Sequence, residues 1–169
     1  MNKASDTPRS LRVAVLTYSN RRTPADDSSG DLIRACLVAA GHRVAASAIR
    51  HGDALAMREF LRVWLADPAI DAVISSGGTG ITDCMPEAVA PLIEHDIPGF
   101  ATLFQVLSLQ DIGSSGMLSR ASAGLAGGTL LFLLPGSENG ARLAMQRLVI
   151  PQMNTTTRPC SLAGLLANG

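Results

Sequence analysis

A glycine-rich segment, Gly77-Gly78-Thr79-Gly80, is the part of this chain best suited to chemistry. It follows a short predicted strand, 70–75, and precedes Pro86, a residue that the first turn of a helix tolerates. A strand, a glycine loop and a helix start in this order bring backbone amides and the positive end of a helix to one place. We therefore predict that residues 77–80 bind a negatively charged group such as a phosphate.

Neither common nucleotide-binding signature is present. The chain has no G-x-G-x-x-G with a suitably spaced acidic residue, and it has no G-K-[ST]. A tight strand-to-helix turn without a ligand is therefore the alternative for the glycines. Asp83 also has two interpretations. It holds Mg²⁺ beside a phosphate, or it caps the helix that begins near Pro86. The two roles are compatible, and the residue taken alone favours the cap.

Apolar runs and helix caps predict the elements that position this loop. The predicted strands are 11–17, 43–49, 70–75, 117–125 and 129–134, the last two forming a hairpin that turns at Gly127-Gly128. Predicted helices follow the N-caps Ser29, Asp53 and Ser137 and also cover 87–95 and 100–109.

This β-α-β-α-β-α order predicts a parallel sheet with helices on both faces and a late antiparallel hairpin. Ligands of such sheets bind beyond the carboxyl ends of the strands. We expect the loops 18–28, 76–85 and 135–139 to converge there. Ser137 then starts a helix at the site, either as an anion-binding position or as an ordinary N-cap.

The histidines contribute little to this picture. His51 follows the second predicted strand, so it alone can reach the site. His42, after the helix-ending Gly41, is expected on the surface, and His95 at the end of a helix.

Length and composition favour a single domain over 11–169 after a flexible tail over 1–10. The formal net charge of zero argues against a nucleic-acid surface, and no apolar run reaches the length of a membrane helix. The polar tail does not resemble a signal peptide. Three widely spaced cysteines without a C-x-x-C pair predict free thiols in the cytoplasm.

Several short motifs together resemble the molybdopterin-binding MoaB/Mog family. They occur in the family's order across residues 10–160, and as a set they are more specific than the glycine loop alone. They are D-S-S-G at 27–30, D-A-V-I-S-S-G-G-T-G at 71–80 with Asp83-x-x-Pro86-Glu87, L-S-R at 118–120, L-P-G-S at 134–137 and T-R-P-C at 157–160.

The resemblance implies a three-layer α/β/α domain that forms a homotrimer or a pair of trimers. It implies a role in molybdenum cofactor biosynthesis, with molybdopterin and Mg-ATP as ligands and transfer of AMP to the molybdopterin phosphate. The implied catalytic residues are Asp83, which also holds Mg²⁺, and Asp53. The implied substrate- and phosphate-binding residues are Ser76, Gly77, Gly78, Thr79, Gly80, Ser119, Arg120, Pro135, Gly136 and Ser137.

Two departures from the family pattern support an alternative function. Active members carry an acidic residue just after the second strand, where this chain has Gly52, with Asp53 beside it. The loop 81–85 is also shorter than usual. The same pocket would then bind molybdopterin or a precursor without adenylating it. A third hypothesis is an unrelated nucleotide-binding α/β domain.

Overall fold

The computed structural model describes residues 7–166, and these residues contain one six-stranded mixed sheet. The strands lie in the order β2-β1-β3-β6-β5-β4, with β2, β1, β3 and β6 parallel and the β4 and β5 edge antiparallel. Their bounds are β1 Arg12–Tyr18, β2 Arg43–Arg50, β3 Ala72–Ser76, β4 His95–Asp96, β5 Ser122–Ala126 and β6 Thr129–Leu134.

Helices cover both faces of this sheet, so the predicted three-layer α/β/α architecture is confirmed. One face packs against α1, α4, α5 and α6, and the other packs against α2 and α3. The bounds are α1 Ser28–Ala39, α2 Ala54–Leu65, α3 Met85–Val89, α4 Pro98–Ile112, α5 Glu138–Ala144 and α6 Ile150–Met153. Short 3-10 turns follow α3 and α4, and a π-helical turn, Met145–Val149, joins α5 to α6.

The central strands β3 and β6 are mostly apolar because both of their faces are covered. Every residue of β3 and β6 is buried. Ile74 and Phe132 point into the core beside α1 and α4, whereas Val73 and Leu131 point into the core beside α2 and α3. Because successive side chains of a strand point to opposite faces of the sheet, each short strand contributes residues to both cores.

An ion-pair cluster fixes the start of β3 at the amino end of the sheet. Asp71 is 9% exposed and accepts from Arg12 Nη2 at 2.8 Å and from Arg12 Nε at 3.0 Å. Arg9 Nη2 lies 3.4 Å from the same carboxylate. Burial opposes ionisation of Asp71, but the Arg12 hydrogen bonds and the two positive charges outweigh burial and lower the Asp71 pKa.

Two predicted segment boundaries are wrong. The helix predicted over 87–95 ends as α3 at Val89 and continues only as a 3-10 turn through Leu92. Pro91 explains this end, since it has no amide to donate within a helix. His95 consequently lies in the edge strand β4 and not at a helix end. The predicted strand 117–125 is also too long, because a 3-10 turn occupies 113–118.

Two further predictions about single residues are wrong. Asp27, not Ser29, is the N-cap of α1, and its carboxylate accepts from the Gly30 amide at 3.2 Å. His42 is 7% exposed and not a surface residue. Its Nδ1 accepts from the Leu11 amide at 3.1 Å, and burial lowers its pKa.

Residues 1–6 of the predicted tail lie outside the described residues. Within the tail, the Arg9 amide donates to Thr155 Oγ1 at 3.1 Å.

Candidate functional site

The loops after β1, β3 and β6 meet at the carboxyl edge of the sheet, as predicted. A Cβ placed on Gly77 would lie 2.5 Å from the main-chain oxygen of Tyr18. A Cβ on Gly136 would lie 3.0 Å from the Gly77 Cα. Gly77 also has φ +94°, a conformation that L side chains rarely adopt. Glycine is therefore required where these loops touch.

The glycine loop has two amides available for a ligand. The Gly77 amide donates to Leu134 O at 3.0 Å, and the Gly80 amide donates to Asp83 Oδ2 at 2.8 Å. Within residues 7–166, no acceptor is found for the amides of Gly78 and Thr79. Two of the four predicted amides thus remain open, and two hold the loop in shape.

Asp83 does not cap α3. The residue at the N-cap position is Cys84, and it makes no side-chain capping bond. The Asp83 carboxylate instead accepts from Gly80, three residues earlier. The bond fixes this carboxylate beside the loop that carries the open amides, where a cation bridging to a phosphate would bind.

Arg120 supports the same loop through main-chain oxygens. Its Nη2 donates to Gly80 O at 2.8 Å and to Asp83 O at 2.5 Å, and its Nη1 pairs with the Glu87 carboxylate. The hydrogen bond from Arg120 lowers the Glu87 pKa. The Arg120 amide also donates to Thr79 O at 3.1 Å. The guanidinium therefore braces the loop, and contact of Arg120 with a substrate stays a prediction.

Asp53 caps α2, as predicted, since its Oδ1 accepts from the Ala56 amide at 2.8 Å. The preceding Gly52 carbonyl accepts from the Tyr18 hydroxyl at 3.0 Å. The Tyr18 pKa is raised to about 12 by its hydrogen bond with Cys84, by burial, and by the negative charges of Cys84, Asp83 and Asp53. Both candidate carboxylates therefore lie within electrostatic reach of the same hydroxyl.

Tyr18 is the only tyrosine in the chain, so its ionisation can be followed by ultraviolet absorbance. We expect the folded protein to form phenolate with a midpoint about two pH units above the ordinary value of 10.0, in line with the raised pKa. The neutral form is favoured by the fold, so this contribution to stability is complete below pH 10 and is lost as pH rises through the folded pKa. The chain unfolded in denaturant is the control. Equal midpoints for the folded and unfolded chains would contradict the prediction.

A second group of predicted residues lines a narrow cavity of about 120 Å³ between α4 and α5. Ser119, Pro135 and Ser137 meet there although they come from two separate motifs. Ser137 Oγ caps α5 by accepting from the Gly140 amide at 3.1 Å. Ser119 Oγ is buried and has no hydrogen-bond partner among the described residues. A buried hydroxyl without a partner suits a pocket whose ligand supplies that partner.

Ser76 has a similar unsatisfied hydroxyl at the end of β3. It is fully buried, and its Oγ has no partner within the described part of the chain. In the sheet it is paired with Thr17, whose hydroxyl donates to the buried Asp27 at 3.0 Å. The D-S-S-G motif therefore places its aspartate next to the end of β3.

Sequence reasoning missed Tyr18 as a site residue, although its position at the end of β1 was an available signal. His51, predicted to be within reach, lies beside Tyr18 with ring centroids 5.5 Å apart.

Among the described residues, no group of three or more His, Cys, Asp or Glu side chains could hold a metal. Bound Mg²⁺ would therefore depend on one or two carboxylates together with substrate oxygens. Within residues 7–166, no helix is long and apolar enough to cross a membrane.

The chain is similar to characterised proteins over most of its length. Residues 14–155 match the family described as probable molybdopterin binding domain. The Molybdenum cofactor biosynthesis protein B of Escherichia coli strain K12 is 41% identical over 152 residues, which cover 89% of each chain. The protein of the same name from Bacillus cereus is 39% identical over 153 residues, covering 89% of this chain and 90% of that one.

Solved structures of the same group of proteins are also similar to this chain. A crystal structure of Molybdenum cofactor biosynthesis protein B has a TM-score of 0.84 at 39% identity and covers 88% of this chain and 94% of that one. The tungsten cofactor synthesizing protein MoaB from Pyrococcus furiosus has a TM-score of 0.73 at 29% identity, with 83% and 91% covered. Because the family match, the relatives and the fold agree with the motifs, the chain belongs to the molybdopterin-binding MoaB/Mog family of molybdenum cofactor biosynthesis proteins.

Proposed function

We propose that this protein binds molybdopterin and Mg-ATP and transfers AMP to the terminal phosphate of molybdopterin. The observation that carries the proposal is the pair of open amides at Gly78 and Thr79, with the Asp83 carboxylate fixed beside them. Backbone amides of this kind hold phosphate oxygens, and a carboxylate beside a phosphate suits a bridging cation. Membership of the family supports molybdopterin as the second ligand.

The cavity between α4 and α5 is the proposed position for part of the pterin. Ser119 supplies a buried hydroxyl without a protein partner, and Ser137 lies at the start of α5 on the same cavity. A pterin carries ring nitrogens and a carbonyl, which such hydroxyls can bind. Arg120, the residue after Ser119, contacts Thr79 and Gly80, so this cavity lies close to the glycine loop.

In the proposed reaction, a phosphate oxygen of molybdopterin attacks the α-phosphorus of ATP. A new phosphorus–oxygen bond forms, the bond to the bridging oxygen of the β-phosphate breaks, and pyrophosphate leaves. Asp83, with Asp53, would hold Mg²⁺, which supplies neutralisation of the phosphate charge when bound. The chain's own contribution is to orient the two phosphates with the Gly78 and Thr79 amides and to keep Asp83 in place through Gly80.

A second candidate is binding of molybdopterin or a precursor without adenylation. Both candidate carboxylates already accept from nearby backbone amides, Asp53 from Ala56 in α2 and Asp83 from Gly80 in the glycine loop. Gly52 also replaces the acidic residue of active members. A cytoplasmic protein of this kind would hold its pterin for another enzyme.

Incubation of the pure protein with molybdopterin and Mg-ATP distinguishes the two candidates. The enzyme releases pyrophosphate and forms adenylylated molybdopterin, and omission of Mg²⁺ abolishes both products. Tight pterin binding without pyrophosphate release would reject the enzyme and support the binding protein. Tight ATP binding without pterin affinity would reject both.

Self-association is the second part of the proposal, as a homotrimer or a pair of trimers. Large apolar side chains are exposed along α4 and the turn after it, each between 49% and 71%, which is unusual for a free surface. They are Leu103, Val106, Leu109, Ile112, Met117 and Leu118. Leu118 directly precedes Ser119, so a second copy on this face would lie against the pterin cavity.

Replacing Leu109 by glutamate is expected to convert the assembly to monomers, because burying a charge in an apolar interface is unfavourable. Sedimentation velocity measures the change. Val63→Glu is the matched control, since Val63 is 69% exposed on α2, away from this face, and should leave the assembly intact. Equal sedimentation of Leu109→Glu and the unaltered protein would contradict the assignment of this face.

A further inference from the structure

Tyr18 contacts both of the loops that carry the candidate carboxylates. Its hydroxyl donates to the Gly52 carbonyl at 3.0 Å, and Asp53 is the next residue. The thiol of Cys84, which follows Asp83, donates to the tyrosine oxygen at 3.3 Å. The Tyr18 side chain from β1 therefore joins the loop after β2 to the glycine loop, and Cys84 Sγ also lies 3.5 Å from the Gly52 carbonyl.

The main chain and ring of Tyr18 also shape the glycine loop. Its main-chain oxygen leaves no room for a side chain at Gly77, and its ring leaves none at Gly78, where a Cβ would lie 2.7 Å from Tyr18 Cδ1. Tyr18 itself is paired with Arg50 at the end of β2. The residue is thus anchored in the sheet and touches the loop on which the open amides lie.

We propose that Tyr18 is a positioning residue that sets the distance between Asp53 and Asp83 for Mg-ATP binding. The inference rests on the proposed function for its ligand, but its geometric part does not. Two successive hydrogen bonds, from Cys84 to Tyr18 and from Tyr18 to Gly52, hold the short loop 81–85 against the loop after β2. Without the hydroxyl both bonds are lost, and only the longer contact of Cys84 Sγ with the Gly52 carbonyl, at 3.5 Å, still joins the two loops. The two carboxylates are then held less firmly.

The variant Tyr18→Phe tests the geometric part without any ligand, because it keeps the ring and removes only the hydroxyl. We expect iodoacetamide to alkylate Cys84 several-fold faster in this variant, since the thiol loses its main acceptor and the loop loosens. Cys36 and Cys160 are internal controls that peptide mass spectrometry reads in the same sample, and their rates should not change. An unchanged rate at Cys84, or an equal rise at all three cysteines, would overturn the link.

Calorimetric titration with Mg-ATP tests the positioning role. Loss of a group that orients metal-binding side chains typically weakens metal affinity by about tenfold or more, so we expect Tyr18→Phe to weaken Mg-ATP binding by that factor. Molybdopterin affinity should stay unchanged, because Ser119 and Ser137 do not contact Tyr18. Equal weakening of Mg-ATP binding and molybdopterin binding would indicate general damage to the fold and would overturn the positioning role. Unchanged Mg-ATP affinity would overturn that role as well.

A second variant tests the link between the loops, and Mg-ATP binding by the unaltered protein distinguishes failure of the positioning role from failure of the proposed function. Cys84→Ala removes the thiol that carries both contacts of the loop 81–85, with Tyr18 at 3.3 Å and with Gly52 at 3.5 Å, so it should weaken Mg-ATP binding at least as much as Tyr18→Phe does. Unchanged Mg-ATP affinity in Cys84→Ala would overturn the link between the loops as the cause of the effect. If the unaltered protein binds no Mg-ATP, the proposed adenylation and the positioning role both fail, and the alkylation rates alone decide whether Tyr18 links the loops.

Discussion

Replacing Gly77 by alanine is expected to lower the free energy of unfolding by about 2–6 kcal/mol. A residue held at an unfavourable positive φ costs about 1–3 kcal/mol, and forcing a methyl group into filled space costs about 1–3 kcal/mol more. Gly77 has both problems, with φ +94° and a Cβ position 2.5 Å from the Tyr18 main-chain oxygen. The Tyr18 oxygen cannot rotate out of the way, because it belongs to the main chain.

Gly41→Ala separates the two contributions. Gly41 has a similar φ of +85° but nothing within 4 Å of its Cβ position, so we expect a loss of only about 1–2 kcal/mol from the backbone conformation. Urea unfolding of both variants, followed by the fluorescence of the single tryptophan Trp64 at matched protein concentration, gives the comparison. Equal losses in the two variants would contradict the close contact at Gly77.

For the proposed adenylyl transfer, Asp83→Asn is expected to reduce the rate by about 100-fold while molybdopterin binding is retained. The asparagine oxygen can still accept from the Gly80 amide, so the loop keeps its shape and only the negative charge is removed. Without that charge the affinity for Mg²⁺ falls, and a higher Mg²⁺ concentration should restore part of the rate. Pyrophosphate release as a function of Mg²⁺ concentration measures the effect.

Asp31→Asn provides the matched control for this prediction. Asp31 is a 61% exposed carboxylate in α1 that pairs with Arg34, and it lies outside the candidate site. Its replacement should leave both the rate and the Mg²⁺ dependence unchanged. A full rate for Asp83→Asn at low Mg²⁺ would remove Asp83 from the reaction, and equal losses in both variants would point to net charge instead of position.

The layout of the fold was predictable because its signals are local. The buried run at 72–76 and the glycines after it identify a central strand and its loop from a few adjacent residues. Asp53 was predicted as an N-cap because it directly precedes apolar residues at helical spacing, and its carboxylate does bind the Ala56 amide. Convergence of the three loops followed from the rule that parallel strands share a carboxyl edge.

Two of the failed predictions, the caps assigned to Asp83 and Ser29, occurred where two local partners compete. Asp83 has an amide available at Gly80, before it, and a helix start just after it, and only the folded loop selects Gly80. Asp27 and Ser29 can both cap α1. The buried Thr17 hydroxyl favours Asp27, and Thr17 is ten residues away along the chain. Composition and spacing within α1 contain no information about that contact.

The candidate site was predictable only as a set of motifs. Its interior depends on contacts between distant residues, such as the bond from Cys84 to Tyr18, which spans 66 positions. Nothing in the local sequence around Tyr18 indicates that its hydroxyl reaches Gly52. The unsatisfied hydroxyl of Ser119 is likewise visible only after α4 and α5 enclose it.

The Asp71 cluster has a consequence for how this chain tolerates insertions and deletions. Since Arg12 and Arg9 hold the first residue before β3, any change of length within 72–76 would displace every residue up to Thr79. The stretch 80–83 is exposed, but Arg120 holds both of its ends through the main-chain oxygens of Gly80 and Asp83. A change of length is therefore expected to be tolerated best between those two contacts, at Ile81 and Thr82, while residues 77–79 keep their position at the end of β3.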